Sequence, residues 1–469
     1  MSNSNALSAR ERIKALTDEN SFVEIGALVT KRNTDFNMDE QSVPDDGVVT
    51  GYALINEKPV YIYSQDAAQL NGSIGEMHAR KIVNIYKLAI KTGTPVVGLL
   101  DSAGIRVQES VDALASFGEI YNVMAEARGL VPQITAVMGN CGGGVAILAS
   151  LSDFTFMEKE NGRFFVNSPN TLDNNYKEKL NTAGGDFAGK TGNADFVISG
   201  EEELFTTLRD LVHVLPLNYA EEAGADDVMD DLNREVPEFA SLVKDPAVAL
   251  EDLSDNNFFL EVQKDTAKEM VTGFILLDGM TIGAVANRTA VLDENGAEVE
   301  TFEPRLTTAG CYKAANFVKV CNSFNIPVLT LTNVIGYAAT VAEEATIGGA
   351  VTTLTTVFAS AGIPKVNLIV GNAYGSAYLS MNSTHIGADM EFALPNVKVG
   401  LMDANIAAKI MYPNADKDEI KTRAKEFNEK TDVKASASRG FIDAIIEPAS
   451  VRKHLLFAFE MLSTKADNE

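Results

Sequence analysis

Apolar and polar positions follow the same order twice along this chain. Residues 49–63 and 273–286 are apolar and β-branched, with a polar turn in the middle of each run, which predicts two β-hairpins. Residues 75–91 and 310–324 follow with apolar positions three to four apart, which predicts a helix after each hairpin. Continuous apolar runs then predict buried strands at residues 96–100, 134–138, 328–331 and 366–370.

Comparison of the chain with itself reveals an internal duplication. Similar stretches begin at Pro95 and Pro327, and another pair begins at Pro132 and Pro364 with an identical offset. The offset between the two hairpins is shorter, so the second half carries extra residues after its hairpin. Repeated strand and helix units of this kind build layered α/β folds. The chain is therefore predicted to contain two homologous α/β halves.

The segment between the halves is strongly acidic. Residues 221–255 hold twelve acidic side chains and two basic ones, a composition typical of a solvated surface linker. We therefore expect an N-terminal domain at residues 1–220, this linker, and a C-terminal domain at residues 256–469. A second charged run, residues 416–434, alternates in sign and predicts an exposed helix.

Composition then limits the classes of function. The 469 residues are 46% apolar and 22% charged, which is typical of a globular protein. Neither a long apolar run nor a secretory signal is present, so we expect a cytoplasmic protein without direct membrane insertion. The net charge of -26 disfavours a nucleic-acid partner. The three cysteines lack metal-binding spacing, so no metal site is predicted.

Two glycine-bearing turns recur in each half, each between a buried strand and a helix. Backbone without Cβ can approach a ligand closely, and the first N–H groups of a helix lack intrahelical partners. Two such donors that converge on one oxygen form an oxyanion hole. The duplication thus predicts two holes, alongside the plainer possibility that these glycines are only steric. The candidate residues are Gly104, Ile105, Gly142, Gly143 and Gly144 in the first half, and Gly336, Tyr337, Gly375, Ser376 and Ala377 in the second.

Side-chain catalysts are sparse. A loop-to-helix start at Gly72 and Ser73 offers a weak phosphate-binding candidate, with Arg80, Lys81 and Arg106 as the residues that would meet phosphates. Neither a P-loop nor a dinucleotide-binding glycine motif is present. Ser376 and His385 make a hydrolase conceivable, although packing or surface roles are the simpler interpretation of both. A site with few catalytic side chains favours enolate chemistry on a thioester.

Several longer motifs resemble one known family, the carboxyltransferase subunits of biotin-dependent acyl-CoA carboxylases and sodium-pumping decarboxylases. The similarity is to propionyl-CoA carboxylase beta and methylmalonyl-CoA decarboxylase alpha subunits, and it covers nearly the whole chain. Its motifs, in chain order, are DGVVTGY from Asp46, SQDAAQLNGSIGEMHARKI from Ser64, DSAGIRVQES from Asp101, GNCGGGVAILASLSDF from Gly139, KAANFVKVCNSFNIPVLTLTNVIGY from Lys313, NAYGSAYLSMNSTHIGAD from Asn372 and SRGFIDAIIEP from Ser438.

The resemblance implies two crotonase-like spiral domains related by duplication, in a hexamer built as a trimer of dimers. It also implies that acyl-CoA binds the N-terminal half and biotin the C-terminal half. In the family, the position of Leu379 lines the acyl pocket. We group Leu379 with the residues expected to bind biotin, because it lies in the C-terminal half. The implied roles are oxyanion stabilisation by Ile105, Gly143, Gly144, Tyr337, Ser376 and Ala377, acyl-CoA binding by Gly72, Ser73, Gly104, Arg106 and Gly142, and biotin binding by Gly336, Gly375 and Leu379.

The implied reaction moves a carboxyl group between an acyl-CoA and biotin. The carboxylated and decarboxylated esters are methylmalonyl-CoA and propionyl-CoA, or malonyl-CoA and acetyl-CoA. The direction of carboxyl transfer is left open. The chain has no biotinylation motif and no ATP-grasp signature, so a separate carrier protein and a biotin carboxylase or membrane decarboxylase subunit are expected as partners. Residues 335–337 and 348–354 depart from the family pattern. The alternatives are a biotin-independent CoA hydrolase or decarboxylase and a non-catalytic scaffold subunit.

Overall fold

Two successive units make up the chain, residues Met1–Ala223 and Gly224–Glu469. The computed structural model describes residues 7–32, 45–221, 223–224 and 230–465. The division lies close to the predicted end of the N-terminal domain at residue 220.

Unit 1 is built on one eight-stranded sheet. Its first two pairs are antiparallel and the rest are parallel, in the order β1-β2-β3-β4-β5-β6-β8, with β7 beside the end of β5. The predicted hairpin is confirmed as β2 and β3, whose two-residue turn matches the twist of the strands. The strands are β1 (Val23–Glu24), β2 (Val48–Ile55), β3 (Lys58–Gln65), β4 (Val96–Ser102), β5 (Gln133–Gly142), β6 (Phe154–Glu158), β7 (Arg163–Phe165) and β8 (Phe196–Ile198).

Helices connect and cover these strands. Ser8 and Glu11 form the capping box at the start of α1 through reciprocal hydrogen bonds. The apolar stripe of α2 is buried against the sheet, and Gly93 ends this helix in the left-handed conformation, with φ 63°. The helices are α1 (Ala9–Leu16), α2 (Glu76–Thr92), α3 (Ser110–Ala127), α4 (Gly144–Leu151), α5 (Asn175–Glu178), α6 (Gly185–Thr191) and α7 (Glu201–Val214).

Unit 2 repeats this sheet. Its order is β18-β16-β15-β14-β11-β10-β9, with β17 beside the end of β15, and a small antiparallel pair, β12 and β13, is inserted after the hairpin β10–β11. The extra residues predicted for this half thus include a two-stranded insertion. The strands are β9 (Leu260–Val262), β10 (Met270–Leu277), β11 (Met280–Asn287), β12 (Ala290–Leu292), β13 (Glu298–Thr301), β14 (Val328–Val334), β15 (Lys365–Tyr374), β16 (Met390–Ala393), β17 (Lys398–Gly400) and β18 (Ala444–Ile445).

The helices of unit 2 occupy equivalent positions between these strands, with additions near the end of the chain. The alternating charged run forms α15, with one buried residue, Ala424, as its pattern predicted. The helices are α8 (Phe239–Leu242), α9 (Pro246–Leu253), α10 (Thr308–Ser323), α11 (Val341–Glu344), α12 (Ile347–Ser360), α13 (Gly375–Ser380), α14 (Ala404–Met411), α15 (Lys417–Lys430), α16 (Val433–Ala437) and α17 (Val451–Leu462).

Strand register confirms the duplication residue by residue. Ser102 pairs with Cys141 in unit 1, and the residues equivalent to them by the sequence repeat, Val334 and Ala373, pair in unit 2. Both pairs follow a register shift at the same place. The turns that follow β4 and β5 therefore have structural counterparts after β14 and β15.

The predicted acidic linker is wrong over its C-terminal part. Residues 222 and 225–229 lie outside the described residues, but Phe239, Leu250 and Leu253 are fully buried in unit 2. These apolar side chains lie on α8 and α9, between acidic positions that keep the overall composition polar. Burial of a large apolar side chain contributes about 1.5 to 3 kcal/mol, while neighbouring charges such as Glu238 and Glu251 stay exposed to solvent.

Candidate functional site

Each unit places two glycine turns at the carboxyl ends of neighbouring parallel strands. In unit 1 these strands are β4 and β5, and the backbone N–H of Asn140 donates to Oδ1 of Asp101 across them at 3.1 Å. In unit 2 the N–H of Asn372 donates in the same way to Oδ1 of Asn333 at 3.0 Å. Carboxyl ends of parallel strands share one edge of the sheet, where α/β folds bind ligands. The two turns of each unit therefore lie at the same edge.

The turn after β4 leaves one amide open. Gly104 has φ 101°, a conformation that favours glycine, and its N–H donates to Oγ of Ser102 at 3.1 Å. Ile74 binds the backbone on both sides of Ile105. Its N–H donates to the Gly104 carbonyl and its carbonyl accepts from the Arg106 N–H, both at 2.9 Å. The Ile105 N–H between them has no acceptor among the described residues. The Ile105 N–H is thus an available donor on this turn.

The turn after β5 corrects one expected donor. Gly143 has φ 60°, but its N–H donates to the Phe165 carbonyl at 2.9 Å and is not free to bind an oxyanion. Gly144 begins α4, and its N–H meets no acceptor in the part of the chain that the structure describes. Its carbonyl accepts from the Tyr121 hydroxyl at 2.8 Å, which anchors the start of the helix. Gly144 is therefore the available donor of this pair.

Unit 2 repeats the first turn. Gly336 has φ 147°, its carbonyl accepts from the Leu306 N–H at 3.0 Å, and the Leu306 carbonyl accepts from the Ala338 N–H at 2.8 Å. The Tyr337 N–H between them has no acceptor within the described ranges. Nη1 of Arg305 donates to the Tyr337 carbonyl at 3.2 Å, so this turn is also held from its carbonyl side.

The second turn of unit 2 also presents open amides. Gly375 has φ 63° and begins α13, and Ser376 and Ala377 follow in its first turn, where backbone N–H groups have no intrahelical acceptors. Oγ of Ser376 accepts a hydrogen bond from the Tyr337 hydroxyl at 2.8 Å. This contact joins the two turns directly. Tyr337, Ser376 and Ala377 thus form the counterpart of the unit 1 pair.

Comparison with known proteins decides the family. The sequence profile of the Carboxyl transferase domain matches residues 2–469. The chain belongs to the carboxyl transferase family. It is 37% identical to a propionyl-CoA carboxylase beta chain of Roseobacter denitrificans, over 98% of this chain and 91% of that protein. It is 34% identical to a methylmalonyl-CoA decarboxylase subunit alpha of Veillonella parvula, over 98% and 91%.

A solved structure confirms the predicted fold of two crotonase-like domains. A crystal structure of transcarboxylase 12S, described as a hexamer assembly with hydrolysed methylmalonyl-coenzyme A bound, matches with a TM-score of 0.91. The two sequences are 31% identical, and the match covers 99% of this chain and 91% of that one. Family and fold together confirm the predicted class of activity, acyl-CoA carboxyl transfer by a biotin-dependent enzyme.

Arg106 does not serve the carboxyl transferase as a free phosphate-binding side chain. Its guanidinium is 1% exposed and is paired with the carboxylates of Asp46 and Glu109. It also donates from Nη2 to the Ser73 carbonyl at 2.5 Å and from Nε to the Ser73 hydroxyl at 3.2 Å. Burial raises the pKa of Asp46 to about 6 even beside this cation. The Arg106 guanidinium is therefore buried and bound to the partly buried Ser73, which corrects the phosphate contact predicted for Arg106.

Two other predicted acyl-CoA residues have steric roles. Gly72 has φ 62°, and a Cβ there would lie 2.2 Å from the Asp101 carbonyl oxygen. A Cβ on Gly142 would lie 2.5 Å from the Phe165 ring. Glycine is therefore required at Gly72, where the contact is with backbone and φ is positive, whereas a Cβ at Gly142 would displace the Phe165 ring. These glycines shape the edge of the sheet that carries the open amides.

The remaining candidates differ in placement. Leu379 lies on α13 with its side chain 37% exposed, next to the turn that carries Ser376. The His385 ring packs against the rings of Tyr378 and Phe441, with centroids 6.4 and 5.0 Å away. Among the described residues no hydrogen bond joins His385 to Ser376. The hydrolase pair suggested by the sequence is therefore not brought together.

Sequence reasoning missed the polar side chains beneath the turns. Oε1 of Gln65 accepts the Asp101 N–H at 3.1 Å, and Oδ1 of Asn287 accepts the Asn333 N–H at the same distance. Gln65 and Asn287 are buried, and the offset between them is the one that relates the two hairpins. A polar side chain that recurs at the end of a buried strand in both halves was the signal that could have revealed them.

Proposed function

We propose that this carboxyl transferase moves a carboxyl group between an acyl-CoA and biotin on a separate carrier protein, with one oxyanion hole in each unit. One observation carries the proposal. Each unit presents an open amide on the turn after one strand and another at the start of the helix after the next strand. The sequence duplication and the matching hydrogen bonds support the same role for both pairs.

In unit 1 the Ile105 and Gly144 amides would donate to the thioester oxygen of the acyl-CoA. Removal of an α-proton or of a carboxyl group moves negative charge onto that oxygen. Donors already held in place stabilise this charge without reorganising during the reaction. Loss of one such donor costs about 2.7 to 4 kcal/mol in the barrier.

In unit 2 the Tyr337, Ser376 and Ala377 amides would hold the ureido oxygen of biotin. The donor set fits that group, because three N–H groups without acceptors among the described residues suit an oxygen that gains negative charge. Biotin would supply the nitrogen that carries the carboxyl group. The chain would bind and orient the ureido oxygen, while the first unit holds the thioester.

We further propose methylmalonyl-CoA and propionyl-CoA as the acyl pair, following the relatives named above. The expected partners are a biotin carrier protein and either a biotin carboxylase or a membrane decarboxylase subunit. The assembly is proposed to be a hexamer, as in transcarboxylase 12S. Among the described residues no helix has the length and apolar character needed to cross a membrane. A cytoplasmic location is supported by Cys141, Cys311 and Cys321, which are free and buried.

The reaction is tested by incubating the purified chain with malonyl-, methylmalonyl- or glutaconyl-CoA, with and without free biotin. Carboxybiotin and the decarboxylated CoA ester are measured together. We expect both products in equal amounts and only when biotin is present. CoA release without biotin would support a hydrolase instead, and binding of the esters without any exchange would support a scaffold.

The first hole is tested by Gly144→Pro. Proline at the first residue of a helix keeps the helix but has no N–H, so this change removes the proposed donor. Gly144→Ala is the matched control, because it adds a Cβ at the same position, 3.0 Å from Phe117 and the Tyr121 hydroxyl, and keeps the N–H. We expect Gly144→Pro to lower kcat about 100-fold or more below the alanine variant. Equal rates in the two variants would contradict this assignment.

A further inference from the structure

In unit 1 the turn that carries the open Ile105 amide is anchored by a buried side chain. The buried Arg106 guanidinium follows Ile105 directly and binds Asp46, Glu109 and the Ser73 carbonyl. Through these contacts it holds the turn against the loop before α2. The Ile105 side chain is apolar and Gly144 has no side chain, so neither residue makes a polar side-chain link across the edge.

Unit 2 lacks this anchor. In the register of the sequence repeat, the position equivalent to Arg106 is Ala338, whose side chain has no polar atom. The positions equivalent to Ile105 and Gly144 are Tyr337 and Ser376, and both carry hydroxyl groups. These hydroxyls lie 2.8 Å apart, with the phenol donating to the serine oxygen. The side-chain link thus runs across the two turns in the unit where the buried cation is missing.

We propose that the Tyr337–Ser376 hydroxyl bond is the positioning contact of the second hole, replacing the buried anchor of the first. It holds the turn that carries the Tyr337 N–H against the start of α13, and so sets the spacing between that amide and those of Ser376 and Ala377. The inference rests on the proposed function, because it assumes that these amides share one oxygen.

Two structural features support a positioning role over a general stabilising one. The bond is exposed, so its loss leaves no buried polar group. The bond itself therefore contributes little to the stability of unit 2. It is also the side-chain hydrogen bond that joins the two turns of unit 2 within the described residues, whereas Nη1 of Arg305 reaches only the Tyr337 carbonyl. Without the phenol, the turn keeps its backbone bonds to Leu306 but can shift relative to α13.

The experiment measures carboxyl transfer from methylmalonyl-CoA to free biotin for Tyr337→Phe, Ser376→Ala, the double variant and Ser376→Thr. A neutral hydrogen bond of ordinary strength corresponds to about a 3- to 10-fold change. We expect kcat/KM for biotin to fall by this factor in Tyr337→Phe and in Ser376→Ala, and no further in the double variant. Ser376→Thr keeps a hydroxyl and should recover most of the rate. KM for methylmalonyl-CoA should not change.

Tyr52→Phe is the control, since Tyr52 lies exposed on β2 in unit 1 and should behave as wild type. Wild-type kinetics in Tyr337→Phe, or losses that multiply in the double variant, would overturn the inference while leaving the proposed function intact. An equal fall in every kinetic parameter together with a lower melting temperature would also overturn it, because that pattern indicates a structural role. Absence of transfer in the wild-type protein would instead refute the proposed function itself.

Discussion

Gly143 shows how a single residue directs an amide that it does not itself supply. Its backbone, with φ 60° and ψ -122°, turns the chain from β5 into α4 and sends its own N–H to the Phe165 carbonyl. The next amide, that of Gly144, is left pointing away from these contacts without an acceptor among the described residues. The glycine is therefore needed for its conformation, whereas the donor is its neighbour.

Gly143→Ala is expected to strain this turn. No atom lies within 4 Å of the added Cβ, so the cost comes from the backbone conformation, about 1 to 3 kcal/mol. Both the free energy of unfolding, measured in urea, and the rate of carboxyl transfer should fall. Gly118→Ala is the matched control, because Gly118 lies exposed within α3 with equal space around it. That change should raise stability by about 0.5 to 1 kcal/mol, and a similar gain in Gly143→Ala would contradict the argument.

At the scale of elements, a buried polar relay connects α2, β3, β4 and β5 beneath the first hole. His78 donates from Nδ1 to the Asp46 carbonyl at 2.9 Å, since a carbonyl can only accept, and its Nε2 accepts from Nε2 of Gln65 at 3.3 Å. Gln65 in turn accepts the Asp101 N–H, and Asp101 accepts the N–H of Asn140. The relay requires a neutral imidazole.

This relay predicts a loss of stability in acid. Burial lowers the pKa of His78 to about 3, from about 6.5 in the unfolded chain. Between these values the unfolded chain binds a proton at His78 that the folded chain does not, so the His78 contribution to stability falls as the pH falls, by about 1.4 kcal/mol per unit, whereas Asp46 with its raised pKa contributes in the opposite direction. Urea unfolding at pH 7.0, 5.5 and 4.5 measures this slope. His78→Gln should be less stable at pH 7.0 but show a shallower slope, and an unchanged slope would exclude His78 as its source.

At the scale of the whole molecule, the duplication conserves the sheets but not their supports. Both units have the same strand order, and both present open amides at equivalent turns. In unit 2 the C-terminal helix α17 is also bound to the segment at residues 230–255. Arg452, fully buried, binds Asp255 at 2.5 Å, Asp230 at 3.4 Å and the Leu253 carbonyl at 2.8 Å. One cation thus fastens the end of the chain to the start of its unit.

Arg452→Met is expected to destabilise unit 2 strongly. It would leave the carboxylate of Asp255 buried without its cation, a loss of about 3 to 5 kcal/mol. Hydrogen exchange should rise in α9 and α17 and stay unchanged in the sheet of unit 1. Lys453→Met, one residue further along the same helix at an exposed position, should change stability by no more than about 0.5 kcal/mol. Comparable effects of the two changes would show that the buried pair has no special role.

The sequence by itself determined the elements that both halves share, their order and the edge at which the glycine turns lie. The hydrophobic period and the constant offset between the halves depend only on neighbouring residues or on their repetition along the chain, and they need no knowledge of distant contacts. Motif resemblance extended this interpretation to the family and its activity. For the same reason the hairpins, the main helices and the turns at Gly104 and Gly336 were all predictable.

Only the tertiary structure decided which groups are free. The Gly143 amide is satisfied by Phe165, the charge of Arg106 by Asp46, and the acidic stretch before residue 256 by Arg452 near the end of the chain. Each of these partners lies on a different element, well beyond the reach of any local sequence pattern. Whether a donor or a charge is available depends on what folding brings against it, and that pairing is set by long-range packing rather than by local pattern.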